Sequence, residues 1–438
     1  MSDMSETNPE DEMEVLSQEQ LDAMVKLHQR FLQARLGGRR AELKSVNIAG
    51  LNLSNQDLSQ AEFRACDMRK CNLSGANFSS ASLFACDLSD ANLQDTKFFR
   101  SDLRGATIQN ANLTGANLDS ADLREGGYAT DFVSTKAKAV NFKGADLSGA
   151  KLSGSMASKA DFSDATMHGV DVTAADLSGA TLEGADLTDA QMSGVRLQGA
   201  NFKDAILAGV DVKQIEHSGA SNLSSALTES TMGKKLNLVT TPLEELVETH
   251  QLWVNSAGKQ GKQLDLSGYD LRSLKSLKEL HLTAVRAEKA KFLGMNLYKV
   301  ELQSAHLDGS DFRQCDMEEG DFRGSSFKGA ILSHTNLKNA NFDALLFGSG
   351  GASKRFSPCD LSDTTLRYAN LSGSNMKKVI LANADLSYAN LSGCDLQGAD
   401  FTDANTDNIN LDGANTEGAI FAKKSVQVFS LGSLSDAE

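Results

Sequence analysis

The chain is poor in proline and in aromatic residues: among 438 residues there are 3 prolines, and Phe, Trp and Tyr together make up 6%. A conventional core needs more large side chains, so the interior must be built from small and medium ones. No apolar run approaches the roughly 18 residues of a membrane-spanning helix. The N-terminus lacks the basic and apolar regions of a secretory signal, so we expect a cytoplasmic protein.

Charge is unevenly distributed along the chain. The formal net charge is −15, and residues 1–22 contain eight acids and no Lys or Arg. We therefore expect residues 1–16 to form an acidic, disordered tail. The remainder is only mildly acidic, which argues against direct binding to the phosphates of nucleic acids.

A large apolar residue recurs at every fifth position, without a slip, from Leu43 to Leu123, which makes seventeen consecutive occurrences. Small residues precede most of these central residues by two positions, and Asp or Asn stands immediately before most of them, as in ANLTGANLDSADLRE. Neither an amphipathic helix nor an alternating strand has this period. A short fixed period of this kind indicates a solenoid.

These units resemble the pentapeptide-repeat family, A-(D/N)-L-x-x. The resemblance implies an all-β solenoid, a right-handed quadrilateral β-helix with one repeat on each side of a coil. In such a coil the central Leu or Phe points inward and stacks on its equivalent about 4.8 Å along the axis. The small residue two positions earlier also points inward, because a larger one would overfill the narrow interior.

The period is interrupted twice at comparable places. It breaks at residues 124–131 and resumes over 132–212 with a few weak positions. A second array is irregular at first, becomes regular over 282–347, breaks again at 348–360 and resumes over 361–421. Each break contains a Gly-Gly pair, and each is expected to be a loop that projects from the solenoid.

Two similar amphipathic segments precede the two arrays. LDAMVKLHQRFL begins at Leu21, and LEELVETHQLWV begins 222 residues later at Leu243. The Gly-Gly pairs at 126 and 350 are 224 residues apart. A whole domain therefore looks duplicated, which predicts two β-helix lobes, each preceded by a short capping α-helix. The predicted boundaries are a tail at 1–16, a first helix and lobe at 17–216, a linker at 217–240, a second helix and lobe at 241–424, and a C-terminal strand or tail at 425–438.

An open β-helix end exposes unpaired backbone groups, and solenoids need caps for that reason. The two helices have apolar faces suited to this role, with four structural cap residues: His28, Phe31, His250 and Trp253. Ser17 with Gln20 is a candidate capping box, as is Thr241 with Glu244, and Pro242 would be the first helical residue.

No motif for catalysis or for a metal is recognisable. All six cysteines stand two residues before a central Leu or Met, so we interpret them as small, buried, reduced core residues. The seven histidines are scattered, and the many Asp residues are interpreted as a solvated surface. We expect no catalytic residue, no cofactor and no bound metal.

The favoured function is a non-enzymatic scaffold or regulator that binds an unidentified protein. Loops on a rigid solenoid are the preferred place for contacts, which selects Glu125, Tyr128 and Asp131 in the first break and Lys354, Arg355 and Phe356 in the second. The family resemblance also implies an alternative, a DNA-mimicking modulator of DNA gyrase or topoisomerase. It further implies that the protein forms a homodimer through its C-terminal end.

Overall fold

A computed structural model describes residues 13–127, 137–223, 225–236, 242–274, 276–347 and 355–421. The chain divides into two compact units, Met1–Thr231 and Met232–Glu438, called here unit 1 and unit 2. Each unit has a continuous apolar core of its own.

Few residues lie in regular helices or strands, because most of each repeat consists of an isolated β-bridge and a turn. Unit 1 contains β1 (Glu14–Val15), α1 (Gln18–Leu32), β2 (Glu42–Lys44), β3 (Val46–Asn47), β4 (Glu62–Arg64), β5 (Ser82–Phe84) and α2 (Val212–His217). Unit 2 contains β6 (Lys234–Lys235), α3 (Leu243–Asn255), β7 (Tyr269–Asp270), a 3-10 helix (Arg272–Leu274), β8 (Leu345–Phe347) and β9 (Arg355–Ser357).

Parallel bridges between residues twenty positions apart define the coils, as in Asn52–Asn72 and Asn72–Asn92. The N–H of Leu53 donates to the carbonyl of Asn72 at 2.8 Å, and the N–H of Asn72 donates to the carbonyl of Leu51 at 3.0 Å. Four such positions occur in each coil, one per repeat. Every repeat is thus joined to the next coil by backbone hydrogen bonds, which is the pattern of a four-sided parallel β-helix.

Each side ends in a tight corner. Two residues after the central Leu53, Asn55 has a φ of 58°, and the N–H of Gln56 donates to the carbonyl of Leu53 at 3.2 Å. That hydrogen bond and the positive φ are those of a type II turn. Gly, Asn and Asp tolerate this conformation best, which explains why they recur two residues after the central position.

The Asp or Asn before most central residues has a structural function that the sequence analysis missed. The Oδ1 of Asn52 accepts a hydrogen bond from the N–H of Ser54 at 3.0 Å, and Asp57 does the same for Ser59 at 3.0 Å. The side chain satisfies an N–H at the start of the corner, as in other Asx turns. These acids are therefore part of the fold and not merely a solvated surface.

The interior follows the predicted pattern. Central residues are buried except on the last coil of unit 2, where Phe421 is 49% exposed. Their rings stack from coil to coil: the centroids of Phe142 and Phe162 lie 4.9 Å apart, with ring planes at 2°. The six cysteines are buried and free, which confirms that they occupy the small inward position. Phe292 and Phe312 form an equivalent stack in unit 2, at 4.3 Å.

An insertion lengthens one coil of unit 1. Asp102 bridges to Asp122 across the usual twenty residues, but Asp122 bridges to Met156 across thirty-four. Fourteen extra residues therefore follow the side of the coil that carries Asp122.

An insertion of the same length occurs in unit 2 but begins one repeat earlier. Ser326 bridges to Asp360 across thirty-four residues, and Asp360 bridges to Ile380 across twenty. Asp122 and Asp360 thus occupy equivalent sides of their units, but Asp122 precedes the insertion in unit 1 and Asp360 follows the insertion in unit 2. The first insertion therefore follows this side of the coil, and the second insertion precedes the corresponding side. The two Gly-Gly pairs are 224 residues apart, and so are equivalent residues in the coils before and after the insertions.

The structure corrects several boundaries of the arrays. The second array of unit 1 does not include Ala137, which is exposed, and its coil resumes with Phe142. Val212 is not a central residue, because it begins α2. Phe347 lies in β8 and not in a coil. Phe132, where we expected the array to resume, is outside the described residues.

Two predicted unstructured segments are partly folded. Within the expected tail, β1 pairs in parallel with β3. Within the expected linker at 217–240, Ser221 bridges to Asn201 and β6 pairs in parallel with β7. Residues 425–438, expected to add a strand, lie outside the described part of the chain.

Candidate interaction surfaces

The two ends of the second insertion pair as a β-hairpin that carries two exposed apolar residues. Strands β8 and β9 are antiparallel, with Leu346 directly opposite Phe356. Directly opposed residues point to the same face of a two-stranded sheet. Leu346 is 56% exposed and Phe356 is 54% exposed, so both side chains present apolar surface to solvent.

Close packing holds the base of this hairpin against the coil. Gly324 has a φ of 68°, and a Cβ atom there would lie 2.8 Å from the Cβ of Leu345 and 3.3 Å from the carbonyl oxygen of Ser357. Only glycine leaves room for the hairpin stem at this corner. The Nζ of Lys378 lies 4.8 Å from the ring centroid of Phe356, in cation–π range. Leu346, Phe356 and Lys378 are called here the hairpin patch.

The first insertion also starts with a close backbone approach. Gly126 and Lys138 exchange two N–H to carbonyl hydrogen bonds of 2.9 Å. A Cβ atom on Gly105 would lie 2.6 Å from the carbonyl oxygen of Gly126. Nearby, the exposed Nζ of Lys159 donates to Glu125 at 3.1 Å. Glycine is thus required on both sides of the contact that begins this loop.

The structure places only part of the predicted site. Glu125 lies in unit 1 and Phe356 in unit 2, while Tyr128, Asp131 and Lys354 fall outside the described residues. Arg355 begins β9, and its side chain is likewise not described. Leu346 was not selected from the sequence, yet an apolar residue directly before Phe347, at a position that usually faces outward, was a usable signal.

Helix α1 lies on the first coil of unit 1. The N–H of Gln20 donates to Oγ of Ser17 at 3.3 Å, and the N–H of Ser17 donates to Oε1 of Gln20 at 2.8 Å, so the predicted capping box is present. Leu21 and Val25 are buried in the core of unit 1.

A fully buried histidine joins α1 to the coil. The N–H of Ala41 donates to Nδ1 of His28 at 3.1 Å, and Nε2 of His28 lies 3.0 Å from the carbonyl oxygen of Ser59. Nδ1 is therefore the unprotonated nitrogen and Nε2 carries the proton. Burial lowers the pKa of His28 below its ordinary value, so the ring is neutral near pH 7.

Helix α3 repeats this arrangement in unit 2. The N–H of Leu264 donates to Nδ1 of His250 at 3.1 Å, and Nε2 of His250 lies 3.0 Å from the carbonyl oxygen of Thr283. Burial lowers the pKa of His250 as well. The His-Gln pair common to the two helices thus marks a common attachment point.

The start of α3 and the outer cap residues differ from the expectation. Pro242 is the N-cap residue rather than the first helical residue and makes no side-chain capping bond; Thr241 is outside the described residues. Phe31 is 37% exposed and stacks on His28 with centroids 5.7 Å apart. Trp253 stacks on His250 at 5.9 Å. Both aromatic rings cover an imidazole instead of entering the core.

A second recurring pattern neutralises many of the acids. Asp102 accepts a hydrogen bond from the N–H of Arg104 at 3.2 Å, and its two oxygens accept from Nε and Nη2 of the same arginine, each at 2.9 Å. The same Asp-x-Arg arrangement occurs at Asp67–Arg69, Asp122–Arg124, Asp270–Arg272, Asp311–Arg313 and Asp321–Arg323.

Across the described part of the chain, no group of three or more His, Cys, Asp or Glu side chains is arranged to hold a metal ion. None of the helices in the ranges given above has the length and apolar character needed to cross a bilayer.

Family models match the arrays directly. A model of pentapeptide repeats matches residues 138–173, 175–214, 276–314, 305–343, 359–398 and 394–423. A model of a pentapeptide repeat region matches residues 41–118. No curated protein sequence matches the chain significantly.

Solved structures with the same repeat are similar at low identity. HetL, a pentapeptide repeat protein involved in heterocyst differentiation regulation in the cyanobacterium Nostoc, is 19% identical over 90% of this chain and 96% of its own, with a TM-score of 0.24. Full-length QnrB1, a plasmid-mediated fluoroquinolone resistance protein, is 17% identical over 48% of this chain and 99% of its own, with a TM-score of 0.27. A thylakoid-lumen pentapeptide repeat protein from Arabidopsis thaliana is 20% identical over 39% of this chain and 72% of its own, with a TM-score of 0.17. No function is transferred from similarities this low.

Proposed function

Because this chain belongs to the pentapeptide-repeat family, we propose that it is a non-enzymatic protein that binds other proteins, as a scaffold or a regulator. Proteins of this family form right-handed quadrilateral β-helices. The observation that carries the proposal is the hairpin patch, where two large apolar side chains stand exposed side by side on a fixed element.

The patch has the chemistry of a protein contact. Leu346 and Phe356 are each more than half exposed, and burying both against a partner would contribute on the order of 2–3 kcal/mol. Lys378 adds a cation at the edge of the Phe356 ring. A partner segment that carries an apolar residue next to a carboxylate fits this combination.

We further propose that the two insertions contact different partners, or different surfaces of one. Glu125, Tyr128 and Asp131 would give the first loop an acidic and aromatic character. Lys354 and Arg355 would give the second a basic one. The acidic loop favours a basic partner surface, and the basic loop favours an acidic one.

The helices α1 and α3 have a separate function in this proposal, as caps. Each is attached to the first coil of its unit by a buried histidine, and α1 contributes Leu21 and Val25 to the core. A helix in this position shields the edge of the β-helix from pairing with another chain.

DNA mimicry is the weaker alternative. It needs a stripe of unpaired acids along one side, as on a duplex. On the side of unit 1 that carries Glu62, Asp102 and Asp122, each acid is ion-paired with an arginine. We expect the purified protein to leave supercoiling by DNA gyrase unchanged, and strong inhibition in that assay would revive the alternative.

The test of the main proposal uses the full-length chain as bait in lysate of its native host. The variant Leu346→Ser with Phe356→Ser removes the apolar pair, and Phe99→Ser with Met156→Ser removes two partly exposed apolar residues elsewhere. Phe99 and Met156 are 38% and 36% exposed. We expect a specific partner to bind wild type and control but not the hairpin variant. Equal capture by all three would refute the role of the patch.

A cytoplasmic location belongs to the same proposal, and fractionation of host cells with antibody detection would test it. Recovery of the protein in a fraction other than the cytosol would redirect the search for partners to that compartment.

A further inference from the structure

One side of unit 1 presents two regular columns of outward side chains. Strands β2, β4 and β5 form three adjacent rows of this side, and two further rows follow at Asp102 and Asp122. The first column, just before the central residues, is Glu42, Glu62, Ser82, Asp102 and Asp122. The second column, just after them, is Lys44, Arg64, Phe84, Arg104 and Arg124. This surface is called here the two-column face.

The two-column face is accessible. The side chains of Arg64, Arg104 and Arg124 are 57%, 40% and 50% exposed, and those of Glu62, Asp102 and Asp122 are 28%, 31% and 17% exposed. The central residues between the columns point into the core, since side chains alternate along a strand. A partner that approaches this side therefore meets one acidic and one basic column along the coil axis.

We propose that the two-column face binds the same face of a second copy of this chain, with the two coil axes parallel. A two-fold axis parallel to the coil axes exchanges the two columns. Each row then faces the same row of the second copy, with the acidic column of one copy opposite the basic column of the other. Glu62 then lies opposite Arg64 of the second copy, and the other charged rows pair in the same way. Such an isologous contact closes on itself as a dimer.

The middle row supports this arrangement independently of charge. It is the row without a charged residue, and it combines an aromatic residue in one column, Phe84, with the smallest residue of the other, Ser82. Exchange of the columns places each Phe84 against the Ser82 of the second copy. An antiparallel arrangement would instead set acid against acid and Phe84 against itself.

The charged groups of one copy also interact between neighbouring rows. The Nε of Arg104 lies 2.9 Å from Asp102 and 3.7 Å from Asp122, so one guanidinium reaches two carboxylates. Asp102, whose side chain is 31% exposed, can accept a further charge-assisted bond from the second copy without giving up its own arginine.

The size of the face decides how strong the dimer is. Five rows about 4.8 Å apart and three residues wide cover roughly 20 by 10 Å, far less than the roughly 800 Å² per partner of a stable interface. The self-association is therefore weak, dominated by charge, and lost as salt screens the ion pairs.

Charge-reversal complementation in the full-length chain tests the proposal. Arg64→Glu with Arg104→Glu makes the second and fourth rows acidic in both columns, and Glu62→Lys with Asp102→Lys makes the same two rows basic in both columns. By sedimentation velocity at low salt and high protein concentration, wild type should dimerise, each variant alone should be monomeric, and an equimolar mixture should recover the dimer. In 0.5 M salt all samples should be monomeric.

Three controls keep the result interpretable. Lys97→Glu with Lys151→Glu reverses two exposed cations on another side of unit 1 and should leave the dimer intact. Ser82→Phe should abolish it without a change of charge. Thermal unfolding establishes that every variant is folded. Wild type that stays monomeric in low salt would overturn the proposal, as would a dimer that persists in the acidic variant, which would point to another interface such as the C-terminal end.

Discussion

The N–H of Ala41 donates a hydrogen bond to Nδ1 of His28, 3.1 Å away, from the first coil of unit 1 to the middle of α1. The same ring donates from Nε2 to the carbonyl of Ser59. Only the neutral imidazole with its proton on Nε2 can make both bonds, because a second proton on Nδ1 would face the N–H of Ala41. The attachment of the helix therefore depends on the protonation of one side chain, and His250 repeats that dependence in unit 2.

Stability should fall on mild acidification. Burial lowers the pKa of His28 and of His250 in the folded chain, whereas in the unfolded chain both titrate near pH 6.5. Below about pH 6.5 the unfolded chain binds protons that the folded chain does not, so the free energy of unfolding decreases by up to about 1.4 kcal/mol per pH unit for each histidine until the folded pKa is reached. Urea unfolding at pH 7.5, 6.5 and 5.5 measures this slope.

The matched variants separate these rings from the other titrating groups. His28→Gln with His250→Gln should flatten the slope between pH 7.5 and 5.5. His168→Gln removes a histidine whose side chain is 57% exposed and should leave the slope as in wild type. An unchanged slope in the double variant would show that the acid sensitivity arises elsewhere.

Gly324 should be irreplaceable for a steric reason beyond its φ. Gly324→Ala places a Cβ atom 2.8 Å from Leu345 and must displace the hairpin stem. Gly329→Ala is the matched control, because Gly329 has a φ of 66° and no atom within 4 Å of the added Cβ. Each variant should lose about 1 kcal/mol from the positive φ.

Only Gly324→Ala should also loosen the hairpin, seen as faster proteolysis between β8 and β9. Equal cleavage rates in the two variants would contradict the packing argument.

The five-residue period was sufficient to predict the coil, the inward residues and the place of all six cysteines, because in a coil of identical sides only one position in five faces the axis. It could not predict which side bears an insertion. Every repeat offers the same inward residues and the same backbone bonds, so moving the break by one repeat, from after Asp122 to before Asp360, leaves the local pattern unchanged. Equal spacing of the Gly-Gly pairs concealed that shift.

The five-residue period also gave a wrong prediction where a helix-capping pattern was present at the same residues. Val212 occupies a central position by count, yet it starts α2, where Asp211 accepts a hydrogen bond from the N–H of Lys213 at 3.1 Å. The capping pattern D-x-x-Q at 211–214 was legible in the sequence. Leu346 and the two-column face depend on which residues align across coils, and that information appears only once the coils are in register.

Four of the six thiols, those of Cys71, Cys315, Cys359 and Cys394, should be unreactive until the chain unfolds. Burial raises the pKa of Cys71 and of Cys394 to about 11, and it raises the pKa of Cys315 and of Cys359 further. The thiolate is the reacting species. Ellman's reagent at pH 8 should therefore detect at most two thiols in the native chain and all six in denaturant.

The added variant Ser193→Cys, at an exposed position, should react at once in the native chain and serve as the positive control. Rapid native reaction of any of these four cysteines would show that its coil opens readily.

The Asx turn gives the most direct test of why Asp and Asn recur before the central residues. Oδ1 of Asp171 accepts a hydrogen bond from the N–H of Thr173 at 2.9 Å. Asp171→Asn keeps this acceptor but removes the charge, whereas Asp171→Ala removes both. If the corner needs the acceptor, urea unfolding should show a loss of about 1 kcal/mol for Asp171→Ala and a much smaller change for Asp171→Asn.

If these residues serve only to keep the surface solvated, the two variants should be equally stable and should differ from wild type only in solubility. The same pair of substitutions at Asp161, which accepts from the N–H of Ser163 at 2.9 Å, repeats the test on another side of the coil. Agreement between the two sites would establish that the repeat selects a hydrogen-bond acceptor at this position and leaves its charge free. That freedom is what allows one side of unit 1 to carry an acidic column while the fold stays the same.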